Sequence, residues 1–251
     1  MGHQIQGFIF NWKEHEANAL ALQKKIGKLI NVIVINSDER LKDKYPTWVP
    51  LDDTAYFSAQ WNTAVYLFDA DIFFHIQADA EFDRFDTMME KAKLLFQKYK
   101  LGVYEPNVNY TGINYDKSKL RSIEPGIFEV PFTDCTCWYI DGAIVRELPP
   151  VDISINQYGW GIPRAIASVS WLNGKSCVRD YNFTIGHPKH TGYSSAIARR
   201  QLRSYGQSLI PRIQIELLRL ENLRFQLSAK PAPVSDQLDD MNAINGDESA
   251  K

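Results

Sequence analysis

Apolar residues in this chain fall into short continuous runs, separated by stretches in which they recur at helical spacing. Residues 4–11 (QIQGFIFN) and 29–35 (LINVIVI) are β-prone runs, the second almost wholly apolar, as expected of a strand covered on both faces. Between them, residues 14–28 place Ala17, Leu20, Ala21 and Ile26 among helix formers, which predicts a βαβ opening. A helix is expected over 55–68, just ahead of a third buried strand at 72–76 (IFFHI). Another is expected over 81–100, where Phe85, Met88, Met89, Ala92, Leu95 and Phe96 repeat at steps of three and four.

Further along, short strands are predicted at 101–104, 127–130, 135–141 and 175–181, with polar loops over 41–54, 105–124 and 182–193. Pro149-Pro150 breaks the chain, and Gly159-Trp160-Gly161 opens a helix running to Trp171. A terminal helix is expected over 208–227, followed by a Pro-, Ser- and Asp-rich tail that reads as disordered. The pattern predicts an α/β chain: a single Rossmann-like domain over 4–207 with a central mixed, mainly parallel sheet flanked by helices. An amphipathic C-terminal helix (208–228) and the tail (229–251) complete it.

Composition narrows the class. The 251 residues include 28 basic and 30 acidic side chains, a net charge of −2 that gives no footing for nucleic acid. Cys135, Cys137 and Cys177 are too few and oddly numbered for a disulfide framework, and Cys135-Thr136-Cys137 lacks metal-site spacing, so buried thiols in a reducing compartment are expected. No apolar run reaches the roughly 18 to 20 residues of a membrane span, and the N-terminus lacks a secretory layout, so a cytoplasmic protein is expected. The terminal helix is left to dock on its own domain, on a partner chain or peripherally on the inner membrane surface.

The candidate chemistry centres on Asp79-Ala80-Glu81, which follows the third strand. On an extended chain residues two apart point the same way, so the two carboxylates could converge on one hard cation; taken alone, they equally suit a solvated strand end. Asn36-Ser37-Asp38-Glu39 lies at the carboxyl end of the second strand, where ligands enter open α/β sheets, and Asp38 is placed to accept hydrogen bonds from a ribose or base. Neither a dinucleotide fingerprint nor a Walker loop is present. Trp138, Tyr158 and Trp160 are aromatic faces suited to a sugar or to core packing, and Arg199, Arg200 and Arg203 form a basic group on a helix face.

In order and spacing, these landmarks resemble an A-type-fold nucleotide-sugar glycosyltransferase, similar to the family-2-like bacterial enzymes that build surface polysaccharides. The resemblance covers about residues 5–193. It rests on Asp38, on Asp79-Ala80-Glu81 in the place of the family's Asp-x-Asp motif, on Tyr158-Gly159-Trp160-Gly161-Ile162, and on Val178-Arg179-Asp180 through Ile185-Gly186-His187-Pro188. It implies a nucleoside-diphosphate-sugar donor, UDP-sugar foremost, and a glycan or lipid-linked acceptor. It further implies a divalent cation, Mn²⁺ or Mg²⁺, held by Asp79, Glu81 and His187, with Asp38, Asp79 and Trp160 on the nucleotide-sugar; His190 is a bystander that could reach phosphate.

One departure stands out. The family places an acid shortly after Gly-Trp-Gly, and this chain has Ile162-Pro163-Arg164. The general base of an inverting transfer would then come from elsewhere: Asp134 is the better candidate, with Asp141-Gly142 reading as an ordinary turn. The same departure keeps open a second class, a nucleotide- or glycan-binding scaffold of this fold that has lost turnover.

Overall fold

A computed structural model describes residues 2–229 except 110, 112 and 189–192. Its strands are β1 (Ile5–Asn11), β2 (Asn31–Asn36), β3 (Val49–Pro50), β4 (Ile72–Gln77), β5 (Leu101–Val108), β6 (Ser122–Glu124), β7 (Ile127–Glu129), β8 (Cys137–Asp141) and β9 (Ser176–Ile185). They form one sheet in the order β3-β2-β1-β4-β8-β5-β9-β7-β6. Of these strands, only β7 and β8 run against the rest. The helices are α1 (Glu16–Ile26), α2 (Phe57–Leu67), α3 (Phe85–Lys98), α4 (Gly142–Glu147), α5 (Ile162–Leu172), α6 (Ser195–Ser208) and α7 (Pro211–Leu227).

Apolar residues alternate across the sheet and build a core on each face. One core joins Ile9, Phe74 and Ile76 to Leu22 and Ile26 of α1 and to Met88, Ala92 and Leu95 of α3. The other joins Phe8, Phe10, Phe73 and Trp138 to Trp61 of α2, Ile166 and Val169 of α5, Tyr205 of α6, and Ile213, Leu217 and Leu220 of α7.

Several elements differ from the pattern reading, each for a physical reason. The strand expected to stop at Tyr104 runs on to Val108, because Glu105 lies in register with Arg179 of β9 and the two form a buried ion pair at 2.9 Å. That pairing carries β9 past Tyr181 to Ile185, into what reads as loop. Helix α3 starts at Phe85 rather than at Glu81, since the Glu81 backbone is committed to Gly186 by reciprocal bonds of 2.9 Å. Asp141 is not merely a turn residue: its carboxylate accepts from the Ala143 amide and caps α4.

The terminal helix expected over 208–227 is α7, which begins at Pro211 in its first turn, and it is preceded by a helix the pattern reading did not anticipate, α6. Helix α7 docks on its own domain, against α5, and Arg164 reaches across to the buried Glu221 at 2.5 Å. Its end returns to the loop after β5, where Asp116 donates its amide to the Leu227 carbonyl. The predicted disorder from residue 230 onward and the predicted role of His190 lie outside the described residues.

Candidate functional site

Strand order reverses direction beside β1: the chain goes to β2 on one side and returns to β4 on the other. At such a switch point the carboxyl ends of neighbouring strands open a crevice. Because β8 runs the opposite way, its entry, Asp134-Cys135-Thr136, reaches the same edge as the exits of β4 and β9. The topology therefore assembles Asp38, Asp79, Asp134 and His187 along one rim, from four separate segments.

Strand β4 ends at Gln77, and the chain turns there, the Ala80 amide donating to the Gln77 carbonyl. Asp79 and Glu81 consequently do not share a direction. The Asp79 side chain is 6% exposed, whereas Glu81 is exposed at the mouth. What faces Asp79 is His187, delivered by the end of β9, with Nε2 3.4 Å from Oδ2 of Asp79. The same nitrogen lies 3.1 Å from Oε1 of Gln77, a contact across 110 positions in the chain. Asp79 Oδ1 and His187 Nδ1 are buried without a hydrogen-bond partner. Burial pushes the Asp79 carboxyl above the usual carboxylate range, with His187 and His15 pulling the other way.

The surrounding residues hold this pair in place. Asn18 on α1 donates its amide to the carbonyls of both Ala78 and Ala80, at 2.5 and 3.0 Å, so it clamps the turn on either side of Asp79. Asn109, just past β5, accepts from the His187 amide at 2.9 Å. His15 joins them at the start of α1, where Glu14 adopts a φ of 75°, a left-handed conformation that costs about 1–3 kcal/mol in a non-glycine residue. Together with Gly186 and Pro188, these groups line a cleft of about 690 Å³.

Two buried amides shape the corner beside Asp38. Asn11 donates to Asn36 at 2.7 Å, and Gln60 donates to the Asn11 carbonyl at 2.8 Å, so the ends of β1 and β2 are locked together. Asp38 follows, buried, its carboxylate held by the Arg40 guanidinium at 2.7 and 2.6 Å. Those bonds keep the Asp38 carboxyl below the usual range.

At the opposite end, Asp134 accepts from Thr111 at 2.9 Å and from the Thr136 hydroxyl at 3.0 Å. Its amide donates to Glu105 at 2.5 Å. Burial pushes the Glu105 carboxyl up to about 8, with Arg179 pulling against it.

Trp160 lies between two glycines of positive φ, and its indole donates to the Tyr193 hydroxyl at 2.8 Å. Tyr193 in turn stacks on Tyr158, the ring centres 4.2 Å apart. Trp138, by contrast, is fully buried against Trp61 and belongs to the core. Arg199 and Arg200 are exposed on α6.

Asp79 and His187 offer the oxygen and imidazole-nitrogen donor types that Mn²⁺ accepts, but the atoms that face each other, Oδ2 and Nε2, are not the two that lack a hydrogen-bond partner, Oδ1 and Nδ1. Among the described residues, however, no three His, Cys, Asp or Glu side chains gather closely enough to hold a metal, because Glu81 stands apart. Pattern reading missed Gln77, Asn18 and Asn109. Gln77 is the last residue of β4, and the turn that follows it removes the extended geometry on which a two-residue rule depends.

The architecture is the A-type fold of nucleotide-sugar glycosyltransferases. Among solved structures, the chain is similar to GalNAc-T7 with UDP, GalNAc and Mn²⁺ (TM-score 0.58, 12% identity), matching over 90% of this chain and 56% of that one. It is also similar to Staphylococcus aureus TarS 1–349 in complex with UDP-GlcNAc (TM-score 0.57, 13% identity, 96% of this chain and 79% of that one). A third is the mannosyltransferase PcManGT from Pyrobaculum calidifontis in complex with GDP-Man and Mn²⁺ (TM-score 0.56, 13% identity, 99% and 82%). The chain thus spans little more than half of GalNAc-T7 and about four-fifths of the other two. No protein-family model matches the sequence, and no curated protein matches it.

Proposed function

We propose that this protein transfers a sugar from a nucleoside-diphosphate sugar, a UDP-sugar foremost, to a glycan or lipid-linked acceptor in bacterial surface polysaccharide assembly. The observation that carries the reading is the Asp79–His187 pair at the switch point, buried together with an unsatisfied atom on each residue. Asp79 and His187 would hold a divalent cation, and Glu81, expected from the sequence as a third ligand, stands apart from them at the mouth. Bound there, such a cation supplies Lewis-acid neutralisation of the departing diphosphate.

The chain's own residues do the rest. Asp38 and Arg40 border the base and ribose, and Trp160 borders the sugar. Asn18 clamps the Asp79 turn through the Ala78 and Ala80 carbonyls. Asp134 is the group in place to take the acceptor hydroxyl's proton in an inverting transfer, since its half-buried carboxylate is oriented by Thr111 and Thr136. Calorimetric titration of UDP, GDP and TDP with and without Mn²⁺ tests this; metal-dependent binding of one of them is expected, and no binding of any would sink the reading.

One observation favours a binding scaffold that has lost turnover. The three positions after Gly159-Trp160-Gly161 are Ile162, Pro163 and Arg164, none of them an acid, and Arg164 is tied to Glu221. Slow metal-dependent release of UDP or GDP from a donor sugar, lost in Asp79→Ala, would dismiss that alternative.

A further inference from the structure

Asp134 is held through its backbone as well as through its carboxylate. Its amide donates to Glu105 Oε1 at 2.5 Å, and Glu105 Oε2 accepts from Arg179 Nε at 2.9 Å. Arg179 Nη1 donates to the Ile113 carbonyl at 2.6 Å, and the Ile113 amide donates to the Thr111 hydroxyl at 3.1 Å. That hydroxyl donates to Asp134 Oδ2 at 2.9 Å. The hydrogen bonds close a ring that leaves Asp134 at its amide and returns to it at its carboxylate, while Thr136 holds the other oxygen, Oδ1. We infer that the buried Glu105–Arg179 pair positions Asp134, fixing where its carboxylate stands when it takes the proton of an incoming hydroxyl.

The inference rests on the reading of Asp134 as the base of sugar transfer and adds the residues that place it. The Glu105 and Arg179 side chains are 0% and 1% exposed. A buried ion pair is weak evidence for stability, since well-packed apolar side chains of similar volume often serve the fold as well or better. What the charges provide is direction. The two Glu105 oxygens and the planar guanidinium fork tie β5 and β9 to two separate loops, one carrying Thr111 and Ile113 and the other carrying Asp134. Tyr115 links the same two loops, its hydroxyl donating to the Phe132 carbonyl at 2.9 Å and accepting from the Phe132 amide at 3.0 Å. Asp134 lies outside every helix and strand, so these bonds set its position where a strand ladder does not. A reacting group displaced by about 1 Å loses on the order of 100-fold in rate, which is the scale on which such a ring matters.

The test measures UDP release by the full chain from UDP-glucose, UDP-galactose and UDP-N-acetylglucosamine in the presence of Mn²⁺, with water as the acceptor. The water oxygen bonds to the anomeric carbon, its proton passes to the Asp134 carboxylate, and the bond to the diphosphate breaks with its electron pair leaving on UDP. Two variants cut the ring at different places. The double variant Glu105→Leu/Arg179→Met replaces the charges by apolar side chains, and Thr111→Val removes one hydroxyl; circular dichroism and thermal unfolding report the fold of each. Both should lower kcat by about 10- to 100-fold with KM for the donor unchanged, and the double variant should keep its thermal stability. Neither should add to the loss caused by Asp134→Ala, because a misplaced base and a missing one fail at the same step. Unchanged kcat in folded Thr111→Val would overturn the inference, as would a further loss from either variant on top of Asp134→Ala. A wild type that releases UDP from none of the three donors would instead overturn the functional reading, and the inference with it.

Discussion

His75 makes this fold sensitive to acid in a calculable way. It sits mid-strand in β4, fully buried, with Phe10, Phe57 and Trp138 around its ring at centroid distances of 4.1, 5.4 and 6.4 Å. Burial among rings penalises the imidazolium and lowers the folded-state pKa to about 3, with the Cys135 backbone pulling the other way. In the unfolded chain the group titrates near 6.5. Between those values the unfolded chain binds a proton that the folded protein refuses, so stability is complete above about pH 6.5 and is lost as pH falls. The slope is about 1.4 kcal/mol per unit, which amounts to roughly 2 kcal/mol by pH 5. Urea denaturation of the wild type and His75→Leu at pH 7.5 and pH 5 reads this directly. The wild type should lose about 2 kcal/mol more than the variant on acidification. Equal losses would refute the reasoning, because every carboxylate contribution is common to both proteins.

Three more outcomes are expected. Gly159→Ala forces a side chain into a φ of +79° and into the Phe57 ring, so stability should fall by about 2 kcal/mol or more in thermal unfolding, with a change in Trp160 fluorescence. Glu221→Ala removes the buried carboxylate that pairs with both Arg164 and Arg224 and ties α7 to α5, which should cost about 3 kcal/mol by chemical denaturation; a loss below about 1 kcal/mol would contradict the packing of α7 as an integral element. Asp134→Ala should lower kcat for sugar transfer by about 10²- to 10⁴-fold while leaving Mn²⁺-dependent UDP binding in place, so a parallel loss of binding would remove Asp134 from the role of base.

Much of the fold can be read from the chain. Runs such as LINVIVI and IFFHI are buried strands because an unbroken apolar stretch has only a doubly covered sheet to go into, and α3 follows from its three-four repeat. The misreadings share one cause. Glu105 and Asn182 look like loop residues, yet they lie in β5 and β9 because partners far away in sequence satisfy them: Arg179 pairs with Glu105, and Pro125 accepts from Asn182. Local pattern cannot register a charge neutralised 74 positions away.

The site divides along the same line. By itself, the sequence determined that Asp79 follows a buried strand, that Asp38 ends another, and that no phosphate-cradling loop is present, since these depend only on local periodicity and residue type. Tertiary structure alone decided that the chain turns after Gln77, sending Glu81 outward and Asp79 inward, because the Glu81 backbone pairs with Gly186 and Asn18 holds the turn from α1. It also decided that His187 meets Gln77 as well as Asp79. That meeting depends on β9 lying beside β5 with β8 reversed between β5 and β4, an arrangement fixed by how strands pair and cores close over the whole sheet rather than by any stretch of residues within it.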